Sequence, residues 1–229
     1  MARFPEVFSA IEPELLKVQR YKERYYDSTL WEHISKSVEF APPQADIRYA
    51  MLFHNVGIPD CRCRDSHGNT FFYGHGEYGR ITAANFFEKY RAELKLRSDT
   101  DMLIEAHDIS ITEDRTAVKR LLCEYSHEEL KKLIKLRIAD DTAKPTVHEG
   151  VIAMYRRTLT MLDDIIASGK CYSISQLAIK ENDLITHRLV ANKAQARAVI
   201  ESLYEAVLDE PSLNVAPILL DMVRKSVRR

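Results

Sequence analysis

The sequence has few of the residues that mark specialised classes of protein. It contains only 4 cysteines, at scattered positions, which is too few for a disulfide framework. Its 7 glycines and 8 prolines exclude a collagen-like or Gly/Pro-rich low-complexity chain. It has no run of 18 apolar residues, and the start at Met1–Val7 has neither the apolar core nor the cleavage site of a secretory signal. We therefore expect a cytoplasmic protein that contacts no membrane.

An excess of charge of either sign is also missing. The 33 Lys and Arg residues nearly balance the 34 Asp and Glu residues, and the formal net charge is -1. This balance does not indicate a nucleic-acid-binding protein, although a local basic face stays open. With 229 residues, of which 45% are hydrophobic, the chain is long enough to bury a real core in one large domain or two small ones.

Helical periodicity runs through most of the sequence. Apolar residues recur at three- and four-residue spacing, and helices are expected to stop at Pro42-Pro43, Gly57 and Pro145. The pattern predicts helices over 10–25, 30–40, 46–55, 77–94, 99–107, 113–124, 127–143, 147–168, 193–208 and 215–227, with a short one over 175–179. We therefore predict an all-α fold with less than about 10% strand.

Residues 60–75 depart from this pattern. Asp65–Asn69 has turn chemistry and Thr70–Tyr73 is β-prone, so a small β-hairpin is expected here. Further on, Lys144–Thr146 interrupts the helices. The sequence thus predicts a helical core over 1–145 and a helical C-terminal extension over 146–229 packed on it.

Four of the eight histidines and one carboxylate stand at informative positions. His33 and His54 fall on helices that are otherwise apolar, His75 lies between glycines, and His107 ends a helix. Asp140 shares its helix with core leucines. Burying such groups without partners is costly, and a metal ion removes that cost because neutral imidazole and carboxylate are its natural ligands. The alternative, which is favoured for any one of them alone, is an ordinary core or surface side chain.

Taken together, these positions resemble the HD-domain phosphohydrolase superfamily, and more narrowly the HD domain of one branch of bacterial tRNA nucleotidyltransferases, the CCA-adding enzymes. The motifs that carry the resemblance are Thr29–His33, Leu52–Pro59, Phe72–His75, Ala106–Asp108 and Leu136–Asp140. The resemblance implies an HD-type helical bundle.

The similarity continues into the tail of those enzymes. Cys171–Ile185 and Asp209–Asn214 resemble their tail segment, so the resemblance covers roughly residues 25–215. The nucleotidyltransferase head, with its Gly-Ser loop and paired aspartates, has no counterpart in these 229 residues. The expectation is therefore a free-standing HD module without nucleotide-adding chemistry.

The resemblance implies that His33, His54 and Asp140 are metal ligands. The family's other ligand is the aspartate after the second histidine, and here that position is Asn55. An amide oxygen can coordinate a hard cation but brings no charge, so metal affinity should drop and the bridging role of a carboxylate is lost. Asn55 is either an engineered replacement or the natural residue of a degenerate site. The otherwise intact motif favours the former.

The remaining site residues are implied less specifically. His75 and His107 are candidates for a second metal site, or for phosphate contact and protonation of the leaving group. Asp108 either shares that role or caps its turn. Ile58 replaces a lysine that in the family reaches a phosphate, which removes a positive donor. Nearby cations that could substitute, although each is more typical of a solvated surface, are Lys36, Arg62, Arg64 and Arg80.

The implied function is that of a divalent-metal-dependent phosphohydrolase, either a phosphodiesterase or a phosphatase. Its substrate would be a nucleotide, a cyclic phosphate or an RNA end. One or two ions would polarise a phosphoryl oxygen and activate a water. Imidazole-rich ligation suits Mn, Fe, Co, Ni or Zn better than Mg. The alternative is a catalytically degenerate HD module that binds nucleotide or RNA without turnover.

Three further features carry weaker hypotheses. Cys61-Arg62-Cys63 has the wrong spacing for a zinc knuckle and no second cysteine pair, so a loop is favoured. The tyrosines of Tyr21–Tyr26 could stack on bases, but helix packing is favoured. The basic end Arg224–Arg229 could touch an RNA backbone, as the tail of the resembled enzymes does with tRNA. Val190–Lys193 lacks that family's glycines, so a solvated terminus is favoured.

Overall fold

The fold was analysed in a computed structural model, which describes residues 12–21, 28–168 and 173–227. These residues form eleven α-helices and one two-stranded sheet, so the predicted all-α fold with a small hairpin is confirmed. The helices are α1 (Glu14–Arg20), α2 (Leu30–Phe40), α3 (Ala45–Phe53), α4 (His75–Lys89), α5 (Leu94–Glu105), α6 (Arg115–Glu124), α7 (His127–Thr142), α8 (Glu149–Ala167), α9 (Glu181–Thr186), α10 (Lys193–Asp209) and α11 (Ala216–Val227). Three-residue 3-10 helices cover Ile174–Gln176 and Pro211–Leu213.

Helix boundaries differ from the sequence pattern in several places. The helix expected over 10–25 ends at Arg20, and the short helix expected over 175–179 is a 3-10 helix over Ile174–Gln176. The helix expected over 77–94 ends at Lys89, because the chain turns at Arg91, which has a φ of 52°. A new helix, α5, then begins at Leu94 rather than at 99. The short helix α9 was not predicted at all.

The hairpin pairs β1 (Cys63–Arg64) with β2 (Thr70–Phe71) in antiparallel register, Cys63 opposite Phe71 and Arg64 opposite Thr70. Asp65 closes the turn, since its Oδ1 accepts from the backbone N–H groups of His67 at 2.9 Å and Asn69 at 2.8 Å. The hairpin thereby leads the chain directly into α4.

The described residues form two compact units. The first contains the described residues up to Ile111 together with Lys131–Arg156, and the second contains Thr112–Leu130 together with the described residues from Arg157 onward. Helices α7 and α8 each contribute to both units. The boundary expected at 145 between a core and an extension stays a prediction.

Helix α2 begins with a capping box. Thr29 Oγ1 accepts from the Glu32 backbone N–H at 3.1 Å, and Glu32 Oε2 accepts from the Thr29 backbone N–H at 2.9 Å. This start fixes which residues of α2 face inward, and the buried set is Leu30, Trp31, His33, Ile34, Ser35 and Ser37.

Two glycines allow the segment after α3 to approach α4 closely. A Cβ on Gly79 would collide with the carbonyl oxygen of Phe53, and one on Gly57 would collide with that of His75. Only glycine permits such an approach of backbone to backbone. The chain around His54 is therefore held against the first turns of α4.

A mostly buried lysine joins three helices of the first unit. Lys132 on α7 lies 2.6 Å from Asp46 Oδ2 on α3 and 2.7 Å from Asp99 Oδ2 on α5. Because all three side chains are mostly buried, each charge depends on the others for compensation.

The second unit has its own core, in which Leu184, Val207 and Leu219 are fully buried. Buried Lys119 of α6 donates from Nζ to the carbonyl oxygen of Leu208, at the end of α10, at 2.8 Å. A cation at a helix C-terminus satisfies a carbonyl that has no partner within the helix.

None of the helices in 12–21, 28–168 and 173–227 is both long enough and apolar enough to cross a membrane.

Some residues that figured in the sequence hypotheses lie outside the described residues. They are Tyr25, Tyr26, Cys171, Arg228 and Arg229.

Candidate metal centre

Two histidines and one aspartate, predicted as ligands, meet inside the first unit. His33 comes from the first turn of α2, His54 directly follows α3, and Asp140 comes from α7; all three are buried. The Nε2 atoms of His33 and His54 lie 3.0 and 3.2 Å from the same oxygen, Oδ1 of Asp140. The three side chains form a group that could hold a metal ion.

The orientation of His54 exposes one nitrogen to the site. Its Nδ1 donates to the carbonyl oxygen of Met51 at 2.8 Å, so in the neutral ring Nε2 keeps its lone pair and points at Asp140. Ligands bonded at about 2.1 Å to one ion are about 3.0 Å apart in octahedral and about 3.4 Å apart in tetrahedral geometry. The measured separations from Asp140 therefore suit a first-row divalent ion.

Asn55 stands beside this group and touches it through nitrogen. Its Nδ2 donates to His54 Nε2 at 2.7 Å and so occupies the lone pair that a metal would use. A carboxylate at this position could not make that contact, because it has no proton to donate. To act as a ligand, Asn55 must turn its amide so that the oxygen faces the site.

A second group of three, His75, His107 and Asp108, lies at the start of α4 and in the turn after α5. Asp108 Oδ2 lies 3.6 Å from His75 Nε2 and 3.2 Å from His107 Nε2. Asp108 is 66% exposed, so this group opens towards solvent on its carboxylate side.

The two histidines of this second group face each other through their Nε2 atoms. Their Nε2 atoms are 3.0 Å apart, while each Nδ1 donates to a backbone carbonyl, that of Phe72 at 2.8 Å and that of Ile104 at 2.6 Å. With both rings neutral, two lone pairs would oppose each other at contact distance. A proton or a metal ion beside the two nitrogens removes that repulsion, which is why this pair fits a cation.

The two groups are neighbours. The ring centroids of His33 and His54 are 5.7 Å apart, those of His54 and His107 are 5.5 Å apart, and those of His107 and His75 are 5.1 Å apart. The four imidazoles thus form one continuous row that runs from the buried Asp140 to the exposed Asp108.

The charge states in this row favour metal ligation. Burial alone would raise the pKa of Asp140, but its contacts with His33 and His54 outweigh burial and hold that pKa well below its usual range. Burial lowers the pKa of His33. Burial, followed by the nearby His54, lowers the pKa of His107 to about 4. Neutral imidazole and ionised carboxylate are the forms that bind metal.

Two cations beside the site were missed by sequence reasoning. Lys144 Nζ lies 3.8 Å from Asp140 Oδ2 and forms an ion pair with Asp141. Arg137 donates from Nη1 to the carbonyl oxygen of His107 at 2.9 Å. Arg137 lies on α7 three residues before Asp140, and Lys144 lies two residues beyond the end of α7, four residues after Asp140. This spacing from Asp140 was the available signal.

Ile58, which the resemblance compares with a lysine, is buried. One of the cations suggested to substitute for that lysine is already paired. Arg80 is engaged by Asp101 through two hydrogen bonds of 2.9 Å. Within the part of the chain that the structure describes, neither Cys61 nor Cys63 belongs to a group of three ligands suited to a metal, so the loop interpretation remains favoured there.

No family model matches this sequence, and no curated protein or solved structure is significantly similar to it. Any function must therefore be argued from the site itself.

Proposed function

We propose that this protein is a divalent-metal-dependent phosphohydrolase of the HD-domain type. The single observation that carries the proposal is the row of four imidazoles, whose Nε2 atoms converge with Asp140 at one end and Asp108 at the other. An arrangement of two adjoining groups, each with two histidines and one aspartate, is suited to one or two first-row divalent ions.

Each residue of the site would have a distinct role in metal binding or substrate binding. His33, His54 and Asp140, with the oxygen of Asn55, would hold one ion, and His75, His107 and Asp108 would hold or approach a second. A bound divalent ion supplies Lewis acidity, which polarises a phosphoryl oxygen and lowers the pKa of a coordinated water. Lys144 and Arg137 would offset the negative charge of the substrate, the role expected of the lysine that Ile58 replaces.

The exposed carboxylate is the group best placed to exchange a proton with solvent. Asp108 lies against both His75 and His107 yet is largely exposed, so it could hold or pass on the proton of the leaving group. The substrate class we propose is a phosphate ester of a nucleotide, a cyclic phosphate or an RNA end, hydrolysed in the cytoplasm.

A second function is favoured by one contact. The amide nitrogen of Asn55 donates to His54 Nε2 and so competes with a metal ion for that lone pair. On this alternative the protein is a degenerate HD module that binds nucleotide or RNA and does not turn it over.

The test compares the given chain with Asn55→Asp, His54→Ala and Asp140→Asn after loading with Mn²⁺. Metal content and hydrolysis of bis(p-nitrophenyl) phosphate are measured on each, and a thermal melt checks that each variant folds. His187→Ala, an exposed histidine of the second unit, is the matched control. We expect hydrolysis in the chain or in Asn55→Asp, its loss in the His54 and Asp140 variants, and no change in the control.

The outcomes separate the two functions. Bound Mn²⁺ without hydrolysis in both the chain and Asn55→Asp would favour the binding module. Absence of bound metal in both forms would overturn the metal site and the proposed function with it.

A further inference from the structure

The hairpin carries a pair of stacked aromatic side chains at the surface. The rings of Phe71 and Tyr73 lie 5.4 Å apart between centroids at an interplanar angle of 8°. Tyr73 is 74% exposed, although aromatic side chains of this size are normally well buried. A parallel pair of this kind presents a flat ring face to solvent.

The stack lies close in sequence to a residue of the candidate metal centre. Tyr73 precedes His75 by two residues, so their Cα atoms lie within about 7 Å of each other. Phe72 lies between Phe71 and Tyr73 in the sequence, and its backbone carbonyl oxygen accepts a hydrogen bond from His75 Nδ1. This bond orients His75 so that its Nε2 faces His107. Strand β2 ends at Phe71, and Tyr73 lies in the turn before α4, where its ring stacks on that of Phe71.

We propose that the Phe71–Tyr73 stack is a platform for the base of a nucleotide whose phosphate occupies the candidate metal centre. This inference rests on the proposed phosphohydrolase function and adds to it the place where the base of the substrate binds. A ribose links base and phosphate over a short distance, and the single residue Gly74 links Tyr73 and His75. Every base has a π-face, so the platform accepts any base.

The hairpin also supplies charge of the required sign. Arg64 is exposed and pairs in register with Thr70, directly before Phe71. Directly opposed residues of an antiparallel pair share a face, so Arg64 lies on the face of Thr70 rather than on that of Phe71. It adds positive charge to the hairpin that attracts a nucleotide's phosphates.

The other exposed tyrosine among the described residues is not part of a parallel stack near the candidate metal centre. Tyr90, which is 49% exposed, packs against Phe86 at 4.8 Å and at a tilt of 49°, so it forms no parallel stack. It ends α4, at the opposite end of that helix from His75. Tyr90 is therefore the matched control for a surface tyrosine without a role in binding.

The experiment uses calorimetry on the Mn²⁺-loaded full chain with three ligands: adenosine 5′-monophosphate, ribose 5-phosphate and adenosine. It is repeated on Tyr73→Ala, Tyr73→Phe and Tyr90→Ala, and phosphate release is followed in the same samples. We expect the monophosphate to bind more tightly than ribose 5-phosphate by a factor of roughly 5 to 150, the contribution of one stacked base. Tyr73→Ala should remove most of that difference, while Tyr73→Phe and Tyr90→Ala should keep it.

The three ligands distinguish failure of this inference from failure of the proposed function. Equal affinity for the monophosphate and ribose 5-phosphate would overturn the platform and leave the phosphate site in place. Adenosine binding that depends on Tyr73, without any binding of ribose 5-phosphate, would support the platform and overturn the phosphate site. No binding of any of the three would overturn both.

Discussion

At the scale of the residue, the donors and acceptors around His54 decide the state of the site. His54 Nδ1 is committed to the carbonyl of Met51, so Nε2 must face Asp140 with a lone pair. The amide of Asn55 donates to that lone pair, which is a hydrogen bond that aspartate cannot make. Position 55 therefore controls whether the site tolerates the absence of an ion.

Replacing Asn55 by Asp should make folding depend on metal. In chelator, the variant would bury a carboxylate beside His54 Nε2 and Asp140, and it should lose roughly 1–3 kcal/mol of unfolding free energy. With Mn²⁺ at 100 times its Kd, about 2.7 kcal/mol should be regained through binding to the folded state. Thermal melts with and without Mn²⁺ measure both effects.

Asn182→Asp provides the control, because Asn182 is exposed near the start of α9. It should leave the melting temperature unchanged in either condition. Identical melts of Asn55→Asp in chelator and in Mn²⁺ would show that position 55 does not contact an ion.

At the scale of the element, helix α7 contributes both to the candidate metal centre and to the packing of neighbouring helices. Through Asp140 and Arg137, with Lys144 just beyond its end, it builds one side of the candidate metal centre. Through Lys132, two turns before Asp140, it is tied to α3 and α5. The same helix thus sets the position of the ligands and the distance between the helices that carry them.

Removing the Lys132 charge should destabilise the first unit strongly. Lys132→Met leaves the mostly buried Asp46 without its cation and leaves Asp99 with only the exposed Lys95. Breaking a buried pair costs about 3–5 kcal/mol, less here to the extent that the group reaches water. We expect a loss of roughly 2–4 kcal/mol, read from the midpoint of urea unfolding.

Lys95→Met is the matched control. Lys95 also contacts Asp99, at 3.0 Å, but it is 80% exposed. Its loss should change the unfolding free energy by less than about 0.5 kcal/mol. Equal effects of the two substitutions would mean that burial of Lys132 contributes nothing.

At the scale of the whole molecule, the buried histidines couple folding to pH. Histidine in the unfolded chain protonates near pH 6.5, whereas the pKa of His107 in the fold is lowered to about 4 by burial and by His54. Between these values the unfolded chain binds more protons than the folded chain. The free energy of unfolding must therefore fall as the pH drops from about 6.5 to about 4. His33, whose pKa is also lowered, acts in the same direction.

We expect this loss to reach roughly 3 kcal/mol for His107 in the metal-free protein, at about 1.4 kcal/mol per pKa unit. Urea unfolding in chelator at a series of pH values between 4 and 7 measures it, these limits being about the two pKa values. His107→Asn keeps a donor near the carbonyl of Ile104 but does not titrate, so its stability should fall less steeply. Parallel pH curves for the two proteins would contradict the assignment.

The sequence by itself determined the class of fold and the membership of the candidate site. Helical periodicity was sufficient for an all-α chain, since amphipathic spacing is a local property, and the turn residues Asp65–Asn69 were sufficient for the hairpin. The residues that converge were chosen from their positions on inward faces, at helix ends or, for His75, between glycines, and from the resemblance that these positions carry together. They are His33, His54, His75, His107, Asp108 and Asp140. Their roles as ligands and in catalysis stay predictions.

Only the tertiary structure decided how those residues meet. The break at Arg91 lies in a left-handed conformation that no glycine announces, so periodicity ran through it. Lys144 and Arg137 reach the site because α7 packs beside α2 and α3, a contact between residues about 100 positions apart that local pattern cannot encode. The same is true of the Asn55 amide, since its donation to His54 depends on which ring nitrogen Met51 has already engaged.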